Sequence, residues 1–356
     1  MKTVDLKNMI EKIALIKSDP KHVWGRVKLE KVADRLIFSF TNLEEYFIGF
    51  VLCEGPEFGC TVEFKPLVKA VKALKCTDCS VEFTPEKLYI TGDMKYIIPV
   101  MNVDLGDYVA FPDVVKESTV GCSLETLNHL VKRVGFSTTK ANENKAYAGI
   151  LFNPVVDGKV DVVTTDIHRL TVVKTDMIKL EKDFVVPVSV AKTVCKMFRS
   201  FDGFHLGKTE FGDCIIFSDD CSTYHARTLV NEFPQYQRVL SVPERPFFTI
   251  DKKKFIEVLT KITSFSDAKV IAGKFNFNAY TSVLDIVEES ISGSLPVSDC
   301  VVDAKIGLNV SYVLEYVKTV ESSVISMKFD DGLKPCYFID NTPDLEVLHL
   351  IMPLRV

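Results

Sequence analysis

Six segments of this 356-residue chain carry apolar residues at helical spacing, and they fall into three pairs with similar separations. In the first pair Asp5 is expected to cap a helix that buries Leu6, Met9, Ile10, Ile13 and Ile16, with Pro20 stopping it. Its partner begins near Phe64, tolerates Pro66 in its first turn and buries Leu67, Val68, Val71 and Leu74. In the second pair Ser123 precedes Leu124, Leu127, Val131 and Val134, and Ser189 precedes Val190, Val194, Met197 and Phe201. In the third, Asp251 precedes Phe255, Leu259 and Ile262, and Asn309 precedes Val313, Leu314, Val317 and Val320. A pairing that returns three times is the mark of an internal repeat, and it restricts the chain to a fold made of three similar units.

Between and after these helices lie short runs rich in β-branched and aromatic residues: Arg35 to Phe40, Val81 to Phe83, Lys87 to Thr91, Val160 to Thr164, Cys214 to Phe217, Val324 to Phe329 and Leu345 to Ile351. Each unit reads as helix, strands, helix, strands, which is the α+β class with two helices packed on antiparallel sheets. Prolines and polar residues near 111–113 and 243–246 mark boundaries, giving three domains at 1–118, 119–243 and 244–356. The length supports more than one core.

The net charge is −5, yet two of the predicted helices carry cationic stripes, Lys65, Lys69 and Lys72 in the first unit and Lys192, Lys196 and Arg199 in the second. Their apolar residues occupy the opposite face, so these cations point to solvent or to a ligand. Confined positive charge on an acidic protein suits nucleic acid held through its phosphates, while ordinary solvated helix faces explain it equally well. The ten cysteines show no disulfide framework and suit free thiols in a reducing compartment. Lysines and acids interrupt every apolar stretch of the N-terminus, so neither a signal peptide nor a membrane span is expected, and a cytoplasmic location follows.

Two later segments are more specific. Asn309-Val-Ser-Tyr-Val-Leu314, followed by Val324 to Phe329 and the terminal Leu350-Ile-Met-Pro-Leu-Arg-Val356, resembles the third domain of the bacterial DNA sliding clamps, the beta subunits of DNA polymerase III. Gly149-Ile-Leu-Phe152, Thr165-Asp-Ile-His-Arg-Leu170, Val186-Pro187 and Phe233-Pro-Gln-Tyr-Gln-Arg-Val239 look like second-domain motifs of the same family, in the same order. The first 118 residues match weakly.

The resemblance implies a homodimeric, head-to-tail ring of which this chain is half, with helices lining a hole that holds double-stranded DNA. It implies no catalysis and no cofactor. The stripe residues would then face the DNA, joined by Asn309 and Tyr312 on family analogy. The family also has an apolar groove for short peptide motifs of the replicative polymerase, the clamp loader and other clamp-motif proteins. Carried over by motif, its wall would comprise Tyr147, Thr165, His168, Arg169 and Leu170, then Pro234, Arg238 and Val239, then Ile351, Met352, Pro353, Leu354 and Arg355. Tyr96 and Ile98 lie on the strand that the family would place at the dimer interface. Ile167 stands where the family usually has Gly, so the turn before His168 is expected to differ. The loop Ser18 to His22 lacks the family's Arg-containing pattern, residues 284–300 fit poorly, and a divergent or phage-type member is suggested.

Competing chemistry is thin. Asp166, His168 and Arg169 could imitate an acid–base cluster, but no Ser or Cys nucleophile accompanies them in the sequence. Cys76-Thr-Asp-Cys79 has half the spacing of a zinc site or a redox pair, with no second CxxC to complete it. No phosphate-binding Gly loop is present. The remaining alternatives are a monomeric nucleic-acid-binding module and a hydrolase with an unrecognised site.

Overall fold

The computed structural model describes residues 1–17, 25–101, 108, 112–139, 146–229, 233–244 and 247–355. All six predicted helices are present: α1 (Thr3–Ile13), α2 (Phe64–Ala73), α3 (Leu124–Val134), α4 (Val188–Met197), α5 (Lys252–Phe265) and α6 (Val310–Val317). Their caps follow the polar residues read from the sequence in three cases. Asp251 accepts the Lys254 amide at 2.8 Å, Asn309 accepts the Ser311 amide at 3.1 Å and Ser123 Oγ accepts the Thr126 amide at 3.1 Å. The expectation for Asp5 is corrected: α1 starts three residues earlier, with Lys2 at the cap position, and Asp5 lies in the first turn, where its negative charge is favourable at the positive end of the helix dipole. The Ser18–His22 loop and Pro20 lie outside the described residues, as do parts of the two expected domain boundaries.

The chain divides into two compact units, Met1–Leu127 with Ser189–Thr228, and Asn128–Val188 with Leu229–Val356, so the second repeat contributes to both. The reason is strand pairing between repeats. In the first unit Glu45–Leu52 pairs antiparallel with Ser222–Arg227, uniting strands of the first and second repeats in one eleven-stranded sheet. In the second unit Arg169–Thr175 pairs with Glu346–Ile351, in register Leu170↔Leu350 and Arg169↔Ile351, uniting the second and third repeats in a twelve-stranded sheet.

The second unit buries a polar seam under its helices. Ser137 Oγ lies 2.6 Å from both Thr164 Oγ1 and Thr171 Oγ1, and Thr171 Oγ1 lies 2.9 Å from His349 Nδ1. The His349 ring stacks on Tyr316 of α6 at 4.5 Å between centroids. Burial, aided by the nearby Arg169 charge, holds the His349 imidazole well below its ordinary value near 6.5. In the first unit burial lowers His225 to about 4.

Both imidazoles therefore stay neutral when folded and take up protons when the chain unfolds. Stability is complete above about pH 6.5 and falls as pH drops below it, because the unfolded chain then binds more protons. Urea unfolding between pH 7.5 and 5 should show this acid limb, and His349→Phe should flatten it. An unaltered limb in that variant would contradict the assignment.

Candidate functional site

Side chains alternate across a strand, so register decides which residues share a face. Partners Thr165↔Leu170, Val163↔Val172, Leu170↔Leu350, Val172↔Leu348 and Leu350↔Tyr337 lie on one face of the second unit's sheet. There Leu151, Val163, Leu170, Val172, Val185, Tyr236, Tyr337 and Leu350 form one buried apolar cluster. Leu229, Phe233, Leu240, Val242 and Leu348 pack against it and keep part of their surface open. The segment Phe233 to Val242, with its short helical turn Tyr236–Val239, covers one flank. Two phenols fix it: Tyr236 donates to Asp161 Oδ2 at 2.7 Å, and Tyr337 donates to the Val239 carbonyl at 3.1 Å. Gly149 is required beside the cluster, since a Cβ there would sit 2.4 Å from Val185 Cγ1 and 2.8 Å from Leu229 Cδ1.

The opposite face carries the helices, and two expected wall residues belong to it. Ile351 is fully buried there, paired with Arg169. Arg169 is 5% exposed, and its guanidinium bonds Asp166 Oδ2 at 2.9 Å, Glu315 Oε2 at 2.5 Å and the Phe136 carbonyl at 2.8 Å. It also stacks on Tyr312 at 4.0 Å. Arg169 and Ile351 are thus corrected from groove wall to the supporting layer beneath it. Tyr312, expected at DNA, is half-buried against Arg169, and Asn309 is a buried helix cap.

The turn joining Val160–Thr165 to Arg169–Thr175 is built by side chains. Asp166 Oδ1 accepts the His168 and Arg169 amides, and Thr165 Oγ1 donates to the Arg169 carbonyl at 2.6 Å while accepting the Ile167 amide. Asp166 is therefore engaged in the turn and with Arg169. Ile167 adopts φ +77°, the left-handed region where a β-branched residue is strained. The turn keeps the conformation a glycine would favour although the side chain has changed. Ile167→Gly is expected to stabilise the protein by about 1 kcal/mol, the strain relieved exceeding glycine's entropic cost. A urea midpoint that stays put or falls would show that the strain is absent.

His168 is exposed at this turn, and its carbonyl accepts the Met352 amide at 2.8 Å. That bond carries the Leu170↔Leu350 ladder one step further, placing Met352, 41% exposed, at the rim of the cluster with His168. Val239, 39% exposed, stands on the covering segment, next to exposed Arg238. Tyr147, Pro234, Pro353 and Leu354 are half-buried, and Arg355 is exposed.

The cationic residues are where the helical period puts them, with one exception. Lys65, Lys69 and Lys72 are exposed on α2 opposite buried Leu67, Ala70 and Val71. Lys192 and Lys196 are exposed on α4, whereas Arg199 is exposed two residues beyond its end. Both groups belong to the first unit.

With this geometry in place, residues 246–355 match the family model of the DNA polymerase III beta subunit, C-terminal domain. Similar curated proteins are the beta sliding clamps of Chlamydia pneumoniae, 21% identical over 99% of this chain and 97% of the relative, and of Caulobacter vibrioides, 22% identical over 94% and 92%. Among solved structures, the Thermotoga maritima DNA polymerase III beta subunit superposes with a TM-score of 0.86 at 20% identity, covering 100% of this chain and 98% of that one. The Bartonella birtlesii sliding clamp, solved with griselimycin bound, gives 0.89 at 17% identity, covering 100% and 99%. The chain has the bacterial sliding-clamp fold.

Tyr96 and Ile98, the pair expected at a dimer interface, lie on the strand Lys95–Met101. Ile98 is 1% exposed and Tyr96 half-buried on the same strand face, while Ile97 between them is 57% exposed. On the apolar cluster itself, the sequence reading missed Leu350, Val172 and Tyr337, which strand pairing puts on one face, and Tyr236, which packs on them from the covering segment. Cys76 and Cys79 are free thiols, and no group of side chains able to hold a metal occurs among the described residues.

Proposed function

We propose that this chain is a non-catalytic DNA sliding clamp that closes as a homodimeric ring around duplex DNA and tethers a replicative polymerase to it. The carrying observation is a fold match over the whole chain to bacterial clamps, joined to an apolar cluster with an open rim at the motifs that suggested the family. The cluster would receive short apolar peptide segments of the polymerase, the clamp loader and other partners, with His168, Leu170, Val239, Met352 and the partly open Leu348 as contacts. Repeats 1–118, 119–243 and 244–356 would be the three domains of each half-ring.

Two strand edges favour ring closure. Lys95–Met101 pairs along one side with Lys87–Thr91, but on the other only Val100 and Met101 find partners among the described residues. Ile291–Ser298 pairs along one side with Val283–Glu288, and on the other only Val297 and Ser298 do so. Unpaired backbone donors and acceptors on two different edges suit a head-to-tail contact between copies. Solution mass should accordingly be about twice the 40.0 kDa chain. A monomer at micromolar concentration would favour the alternative of a nucleic-acid-binding module without a ring.

The stripes supply the sliding contact, because phosphate contacts hold without reading bases. Replacing Lys65, Lys69 and Lys72 with Ala should lower the slope of log Kobs against log[salt] for duplex DNA by about 2 to 3 units. An unchanged slope would remove α2 from the DNA surface.

A further inference from the structure

The groove's rim runs into a cationic cleft that shares Leu354 and Arg355 with the expected groove wall and whose other walls the clamp reading does not assign. Past Met352 the chain continues along the sheet edge, where the Leu354 amide donates to the Gly307 carbonyl at 2.8 Å. The Leu354 side chain lines a cavity of about 380 Å³ whose other walls include Ile306, Leu333, Lys274, Lys305 and Arg355. No acidic side chain lines it, and none of the three cations forms an ion pair among the described residues. Leu333 is 80% exposed, and Lys274, Lys305 and Arg355 are exposed. Leu354 stands two positions beyond Met352, roughly 7 Å of extended chain.

Resting on the groove reading above, we propose that this cleft is a specificity subsite for an acidic residue flanking the apolar core of a bound partner peptide. Three unneutralised cations over an apolar floor match a carboxylate on an aliphatic stem: the stem covers Ile306, Leu333 and Leu354 while the charge meets the lysines and arginine. A segment that buries its apolar core over Leu170 and Leu350 reaches the cleft with one or two further residues. Selection here is electrostatic and set at the rim, so it weakens as salt rises. Duplex DNA is the other anion such a cleft could meet, but the apolar floor and the continuity with the groove favour a peptide.

The test uses the full-length protein and fluorescent peptides with one leucine- and phenylalanine-containing core, flanked at either end by three Glu, three Gln or three Lys. Anisotropy titrations at low salt should show Glu-flanked peptide binding about three- to tenfold tighter than Gln-flanked peptide at one of the two ends. Lys274→Gln with Lys305→Gln should erase that preference while leaving affinity for the Gln-flanked peptide unchanged. Equal binding of all flanks, or a preference that survives in the double variant, would overturn the subsite and leave the groove intact. Loss of DNA salt slope in the double variant with the peptide preference untouched would assign the lysines to DNA and overturn it too. Failure of every peptide to bind would sink the groove reading itself.

Discussion

Asp340→Ala should destabilise the second unit by about 3–5 kcal/mol, among the largest effects expected of any single substitution in this chain. Arg133 and Asp340 have side chains only 2% and 1% exposed, and the guanidinium is bonded to the carboxylate and to the Thr319 carbonyl. The same carboxylate oxygen accepts the Glu321 amide at 3.1 Å. Deleting it strands a buried cation that cannot shed its proton, and the protein bears the desolvation cost with one carbonyl left in compensation. The pair also joins α3 of the second repeat to the strand Cys336–Asn341 of the third, so its loss loosens the layer beneath the groove. Arg133→Met added to Asp340→Leu should recover most of the loss, because it removes both charges while keeping volume. Chemical denaturation of the three proteins decides the matter. A cost below about 1 kcal/mol for Asp340→Ala would mean that the ion pair does not hold this layer together.

The second large effect concerns the groove. Met352→Asp and Val239→Asp should each weaken binding of an apolar partner peptide by about 30- to 100-fold, equivalent to about 2–3 kcal/mol. Both side chains stand at the rim, and a peptide side chain entering over Leu170 and Leu350 must cover them. A carboxylate placed there would lose water with no partner, which sets the size of the penalty. Because the two positions are 41% and 39% exposed, the melting temperature should barely move, separating binding from folding. Affinities equal to wild type in both variants, measured by anisotropy, would exclude this face as the peptide site.

The sequence was informative wherever one face of an element is wet. All six helices could be read because polar residues repeat opposite the apolar stripe, and Ser123, Asp251 and Asn309 announced their caps. It was uninformative where both faces are covered. In Glu346–Ile351 the last three residues are buried whichever face they take, so period two cannot say that Leu350 rather than Ile351 joins the groove. On Lys95–Met101 the face of Ile97 is open although the residue is apolar, so composition does not separate it from buried Ile98. Nothing local marks Arg133 as buried, because its partner Asp340 lies far along the chain. Pairing between repeats, which places Leu170 against Leu350, is likewise a long-range fact that no local pattern encodes. At Ile167 an unfavourable residue marked a departure from the family, but only the φ of +77° shows that the turn kept its shape and absorbed the strain.

The most direct measurement of the central claim is topological. The protein is placed on nicked circular duplex DNA by a clamp loader, freed of loader by gel filtration, and the circle is then cut once with a restriction enzyme. A ring held by linkage leaves through the new ends, so the protein should stay with the circle and separate from the linear product at the same salt. Equal retention on both forms would show that contact rather than encirclement holds it, and would contradict the sliding clamp.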